Sequence, residues 1–258
     1  MKCEYSIEGS GEPLFLIHGI GASRATWKTA LPLLTQHFTV VTYDLRGHGA
    51  SPLPDGAFGL DDLVDDLEEL RQSVGCEAAH FAGHSLGGMI GPAYAYRYPD
   101  RVDSVGLLST AAFRTEADSA AVWGVVRAME ENGIPKVLET LSSRWFTDEF
   151  IASNPDIVSA RLKQVVETNP DIFLNVFRIY AGTEMEAWLH QVDAPCLVLT
   201  GENDGGCNPR LNKQIDAALT HSELVVLPDL KHSLMLEAGP LVAEHMIRFI
   251  ENLSFKAE

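Results

Sequence analysis

Six short apolar runs, at 14–17, 39–43, 78–82, 102–108, 196–200 and 224–227, recur along the chain with helix-like sequence between them. Each run has the length and apolar continuity of a strand buried on both faces. Helical periodicity occupies 25–36, 60–74 and 86–98, and a further stretch at 241–252 closes the chain. Strands separated by helices pair in parallel, because each crossover returns the chain to the same end of the sheet. The expected fold is therefore α/β, with a mainly parallel central sheet covered by helices on both faces. The alternation breaks between 113 and 192, where helical patterns punctuated by Gly133, Pro135, Asn154-Pro155, Asn169-Pro170 and Gly182 predict four or five short helices and no strand. A chain of 258 residues suits one core with an insertion better than two independent domains. The expected division is a core of 1–112 and 193–258, with 113–192 as a helical cap inserted before the acid-bearing strand.

The third run leads directly into a helix through Gly83-His84-Ser85-Leu86-Gly87, a G-x-S-x-G motif. A strand that turns sharply into a helix lifts the central serine above the sheet edge, and the flanking glycines let neighbouring backbone pass closely. Ser85 is thus the candidate nucleophile. A serine of this kind needs a base to take its proton, a carboxylate to orient that base, and donors for the developing oxyanion. Asp204 follows the fifth run in Gly201-Glu202-Asn203-Asp204, and His232 follows the sixth in Leu230-Lys231-His232-Ser233. Both fall at the sheet edge where ligand sites of open α/β sheets lie. Glu202 is the rival acid, placed nearer the strand end. The loop His18-Gly19-Ile20-Gly21 lets backbone curve toward the same edge, so the Ile20 and Leu86 N–H groups are the expected oxyanion donors. His18 and His48 also follow strands and read as structural or loop-shaping, while His84 is expected to leave the turn in a different direction from Ser85.

The net charge of −17 excludes nucleic acid and anionic membrane as partners, since phosphate binding needs clustered Lys and Arg. No segment approaches the roughly 18 apolar residues of a membrane span. Cys3, Cys76, Cys196 and Cys207 lack C-x-x-C spacing, so neither a metal site nor a disulfide framework is indicated. The N-terminal segment has no apolar core for export, and a reducing cytoplasm is the expected compartment. In the acidic run 61–69, Leu60, Leu63, Leu67, Leu70 and Val74 recur at helical spacing, which puts the carboxylates mainly on a solvated face. No cofactor is implied, and oligomeric state leaves no signature.

Taken together, His18-Gly-Ile-Gly, Asp44-Leu-Arg-Gly-His-Gly-Ala-Ser51, Gly83-His-Ser-Leu-Gly-Gly88 and His232 resemble the α/β-hydrolase superfamily over nearly the whole chain. Within it, Ser143-Arg144-Trp145-Phe146-Thr147 and the following Asn154-Pro155 resemble 3-oxoadipate enol-lactonases. The resemblance implies hydrolysis of a small carboxylated lactone in aromatic catabolism. Two features depart from the pattern: the loop between Asp204 and Pro209 is one residue longer, and Lys231 stands where a glycine is usual. An anionic substrate requires a local cation in so acidic a chain. Arg114, Arg127, Arg144, Arg161 and Arg178 lie in the insertion, and Arg144 beside Trp145 is the expected substrate contact. Alternatives are a carbon–carbon bond hydrolase of a ring-cleavage product, a general carboxylesterase, and a ligand receptor that keeps the fold.

Overall fold

The structure, a computed structural model, describes residues 2–254. Seven strands form one sheet: β1 (Tyr5–Gly9), β2 (Glu12–Ile17), β3 (Phe38–Tyr43), β4 (Ala79–His84), β5 (Val102–Leu108), β6 (Cys196–Gly201) and β7 (Ser222–Leu227). Their spatial order is β1-β3-β2-β4-β5-β6-β7, with β1 antiparallel to β3 and every other pairing parallel. The six apolar runs are β2 to β7. β1 was not expected, because its half-buried edge sequence lacks a continuous apolar run.

Eleven α-helices accompany the sheet among the described residues: α1 (Leu31–Leu34), α2 (Leu60–Val74), α3 (Gly87–Arg97), α4 (Glu116–Asn132), α5 (Ile134–Trp145), α6 (Asp148–Ser153), α7 (Pro155–Glu167), α8 (Pro170–Gly182), α9 (Pro209–Ala218), α10 (Leu234–Glu237) and α11 (Gly239–Ser254). Alternation along β2 sorts them into layers. Phe15 and Ile17 point into a core with Leu63 and Leu67 of α2, Met89 of α3 and Ile215 of α9. Leu14 and Leu16 point the other way, into a core with Leu34 of α1 and Met246 and Ile250 of α11.

The helix expected at 25–36 is instead a 3-10 turn, Arg24–Trp27, followed by the single turn of α1. Pro32 can open a helix but cannot continue one, and Thr29 spends its hydroxyl on the Met235 carbonyl at 2.6 Å. In α2 most carboxylates face outward, but Asp66 is buried and holds Arg46 through two contacts of 2.7 and 2.9 Å. This bidentate pair fixes the loop after β3 against α2.

Helices α4 to α8 fill the stretch between β5 and β6. Thr115 and Asp118 cap the start of α4 reciprocally, and the Asn169 side chain caps α8. Met129, Ile134, Leu138, Leu141, Val165 and Phe173 give these helices a small core of their own. Phe173 lies against Gly21 and Ile172 against Gly47, two glycines with positive φ whose missing side chains let α8 approach the sheet-edge loops.

Candidate active site

Ser85 sits between the last residue of β4 and the first turn of α3 with φ 57°, a left-handed conformation that costs a non-glycine residue about 1–2 kcal/mol. The turn is held by its surroundings. The Ser85 N–H donates to the Leu108 carbonyl at 2.9 Å, which extends the β4–β5 ladder, and Thr110 donates to the Ser85 carbonyl at 2.9 Å. The glycines of the motif are steric requirements. A Cβ on Gly83 would lie 1.9 Å from the Gly87 carbonyl oxygen, and one on Gly87 would lie 2.2 Å from that of Ile17.

On the far side, Gly201 ends β6, and a Cβ there would meet the Leu230 and Lys231 carbonyls at 2.5 Å. That close approach lets the loop after β7 fold over the loop after β6. His232 Nδ1 and Asp204 Oδ2 are 2.7 Å apart, and Asp204 Oδ1 accepts the amides of Gly206 and Cys207 at 2.9 and 2.8 Å. The longer loop is tied down, because the Cys207 carbonyl accepts from both Thr200 Oγ1 and Asn212 Nδ2. Glu202 is exposed and accepts the Asp229 amide, with no contact to the ring among the described residues.

Charge in this pair is set by opposing effects. Burial works against ionisation of Asp204, yet His232 and the two amides together hold its carboxyl below the ordinary range. Burial likewise disfavours a charged His232, but the Asp204 carboxylate and the Cys207 thiol outweigh it and push the ring well above the usual histidine value. His232 Nδ1 carries the proton shared with Asp204, which leaves Nε2 to exchange a proton with a partner.

Ser85, Asp204 and His232 line one cavity of about 640 Å³, together with Arg114, Arg144 and Trp145. Arg144 is exposed at the end of α5 and has no ion-pair partner among the described residues. Trp145 is half-buried, with the Arg161 guanidinium 5.5 Å from its ring centroid. Its carbonyl accepts the Ser233 amide at 2.8 Å, while Lys231 Nζ donates to the Ser143 carbonyl at 2.9 Å and reaches Asp148 at 3.2 Å. Both neighbours of His232 are therefore bonded to the inserted helices, and the lysine that departs from the usual glycine makes one of these ties.

At the near edge, the Ile20 and Leu86 amides have no hydrogen-bond acceptor among the described residues. Gly19 abuts the serine, since a Cβ there would stand 3.0 Å from Ser85 Cβ. His18 and His48 shape this loop from below. Nε2 of His18 accepts the Leu45 amide at 2.9 Å and Nε2 of His48 accepts the Gly21 amide at 3.3 Å, so both rings are neutral there. Burial lowers the pKa of each, most strongly for His18.

His84 takes a supporting place that its position beside the serine did not foretell. Its ring turns toward the acid–base loop, with Nε2 2.9 Å from the His232 carbonyl oxygen. Arg161 is one of five arginines that the sequence offers as the local cation, with Arg144 preferred, and Cys207 is read there without a role at the site. No local pattern ranks Arg161 above the other arginines, since packing brings α7 to the site, and Cys207 comes with the loop of Asp204.

Residues 12–151 match the model of the alpha/beta hydrolase fold family, and the chain belongs to that family and is a hydrolase of it. Similar proteins include the (E)-2-((N-methylformamido)methylene)succinate hydrolase of Acinetobacter baylyi, 28% identical over 251 residues that cover 96% of this chain and 93% of that one. A 3-oxoadipate enol-lactonase of the same organism is 27% identical over 215 residues, covering 83% of this chain and 79% of its own. Among solved structures, the enol-lactonase from Burkholderia xenovorans superposes with a TM-score of 0.89 at 23% identity, over 96% of both chains.

Proposed function

We propose that the protein cleaves a small carboxylic ester or lactone, of the 3-oxoadipate enol-lactone kind, through an acyl-enzyme on Ser85. His232 takes the serine proton through Nε2, Asp204 holds the imidazole, and the Ile20 and Leu86 amides receive the oxyanion. Water, activated by the same ring, then releases the acid. One observation carries this reading: the 2.7 Å Asp204–His232 contact faces the same cavity as a serine on a left-handed strand-to-helix turn.

In this reading 113–192 is a cap over the core of 1–112 and 193–258, because its helices supply much of the cavity wall. The substrate is an anion. Arg114, Arg144, Arg161 and Lys231 all border the cavity of a chain whose net charge is −17. Relatives named for a succinate derivative and an oxoadipate lactone fit the same chemistry. Arg144 and Trp145 are assigned to the carboxylated end. No step requires a cofactor.

The test is a parallel assay of an enol-lactone acid, a vinylogous diketone acid and a neutral aryl ester, with wild type and Ser85→Ala. Preferred turnover of the lactone that is lost in the variant supports the assignment. Preferred cleavage of the diketone acid replaces it with carbon–carbon bond hydrolysis. Preferred cleavage of the aryl ester makes the protein a general carboxylesterase.

A further inference from the structure

The peptide groups around Ile20 are each engaged in a way that leaves one N–H free. The Gly19 carbonyl accepts the Ala22 amide at 3.3 Å and the His18 Nδ1–H at 2.8 Å. In the next peptide, the Gly21 N–H donates to His48 Nε2 at 3.3 Å and the Ile20 carbonyl accepts Arg161 Nη2 at 3.0 Å. The Gly21 carbonyl accepts Arg161 Nη1 at 2.5 Å. Both planes are thus held at their other ends, which restricts rotation of the Ile20 amide.

The residue that closes this arrangement comes from α7. Arg161 lies against the Trp145 ring, and its neighbour Gln164 reaches across to Ser23 Oγ at 2.8 Å. No carboxylate pairs with Arg161 among the described residues, and burial alone lowers its pKa, to about 10. A half-buried cation without a counter-ion still carries a desolvation cost. Behind an amide that receives an oxyanion it has a use, because its positive field is strongest where the surroundings are dry.

We propose that Arg161 is a positioning residue for acyl transfer: it locks the Ile20–Gly21 peptides so that the Ile20 N–H meets the oxyanion, and its charge reinforces that hole. The inserted helices thereby complete the catalytic edge of the core as well as covering it. The proposal rests on Ser85 acting as the nucleophile and on Ile20 and Leu86 as the oxyanion donors.

The experiment compares wild type, Arg161→Lys, Arg161→Gln and Arg161→Met on a neutral aryl ester and on a carboxylated ester, with thermal melts to show that each is folded. A boronic acid that forms a tetrahedral adduct with serine measures the hole directly. Arg161→Met is expected to lower kcat about 10²-fold on both esters, in line with the loss of one oxyanion donor. KM should change little, and boronate affinity should fall in parallel with kcat. Arg161→Lys should recover part of the loss, and Arg161→Gln, which keeps a donor without the charge, should fall between Lys and Met. If kcat on the neutral ester and boronate affinity stay at wild-type values in folded variants, the proposal is overturned. The same holds if the effect is confined to KM for the carboxylated ester, which would make Arg161 a substrate ligand. Fluorophosphonate labelling of wild type but not Ser85→Ala checks the nucleophile separately, so a failure of that premise is distinguishable from a failure of the positioning role.

Discussion

The Nε2–H of His84 donates to the main-chain carbonyl of His232 at 2.9 Å, and the two rings lie 4.9 Å apart, tilted by 46°. The residue preceding the candidate nucleophile thus supports the backbone of the candidate base. Burial first, and then the neighbouring His232, lower the His84 pKa to about 3. The unfolded chain takes up a proton at this position near pH 6.5, whereas the folded chain does not until near pH 3. Its stabilising contribution is therefore complete above pH 6.5 and is lost as pH falls, at up to about 1.4 kcal/mol per pH unit. His84→Gln should flatten the decline of Tm between pH 6.5 and 4; an unchanged slope would remove His84 from the acid response.

The rate should fall with acid as at an isolated histidine site, but from a higher pH. Because Asp204 and Cys207 outweigh burial and raise His232, the ring stays protonated to a higher pH than usual. The acid limb of kcat/KM is therefore expected to have its midpoint above 6.5. Asp204→Asn should shift that midpoint downward and reduce kcat by about 10³–10⁴-fold, since the ring loses both its charge partner and its tautomer. A profile from pH 5 to 9 of both proteins checks this.

Ser85→Ala should fold as wild type does and lose at least about 10³-fold in turnover, together with labelling by a fluorophosphonate. Ser85→Gly should be equally inactive yet more stable than Ser85→Ala, by about 0.5–1 kcal/mol. Glycine enters φ 57° without steric cost, which exceeds the entropy it gives up on folding. Denaturant melts of the two inactive variants give the comparison.

Gly83→Ala and Gly87→Ala should each destabilise by about 3 kcal/mol or more, because the new Cβ would overlap a main-chain carbonyl that no rotamer change can move. Gly56→Ala, with nothing within 4 Å of the added carbon, is the matched control and should melt within about 0.5 kcal/mol of wild type.

Arg144→Ala should raise KM for a carboxylated ester about tenfold and leave a neutral aryl ester unaffected, as expected for one exposed charge-assisted contact. Steady-state kinetics on the matched pair of esters decide the matter, and an equal change on both would remove Arg144 from substrate recognition.

The parallel strands were legible because each is a continuous apolar run, and the serine turn was legible because its glycines are demanded by local geometry. β1 escaped notice because an edge strand with one wet face carries no such run. The break at Pro32 was masked by Trp27, Ala30 and Leu34, which are all buried and mimic helical spacing. Asp204 and His232 could be found from their places after strands. The roles of His84, Arg161 and Cys207 depend on residues 25 to 148 positions away, and only packing brings those together.

Among their ties to the core, the inserted helices hold the Gly21 loop through Arg161 and the loop of His232 through the Ser143 and Trp145 carbonyls. With the roles proposed for Arg161 and His232, a lineage adopting a new substrate is not free to redraw this segment wholesale, since changes at these ties would reach the catalytic loops. Diversification is channelled to the faces between them, where Arg144 stands exposed, and a family built this way can change its diet while inheriting its chemistry intact.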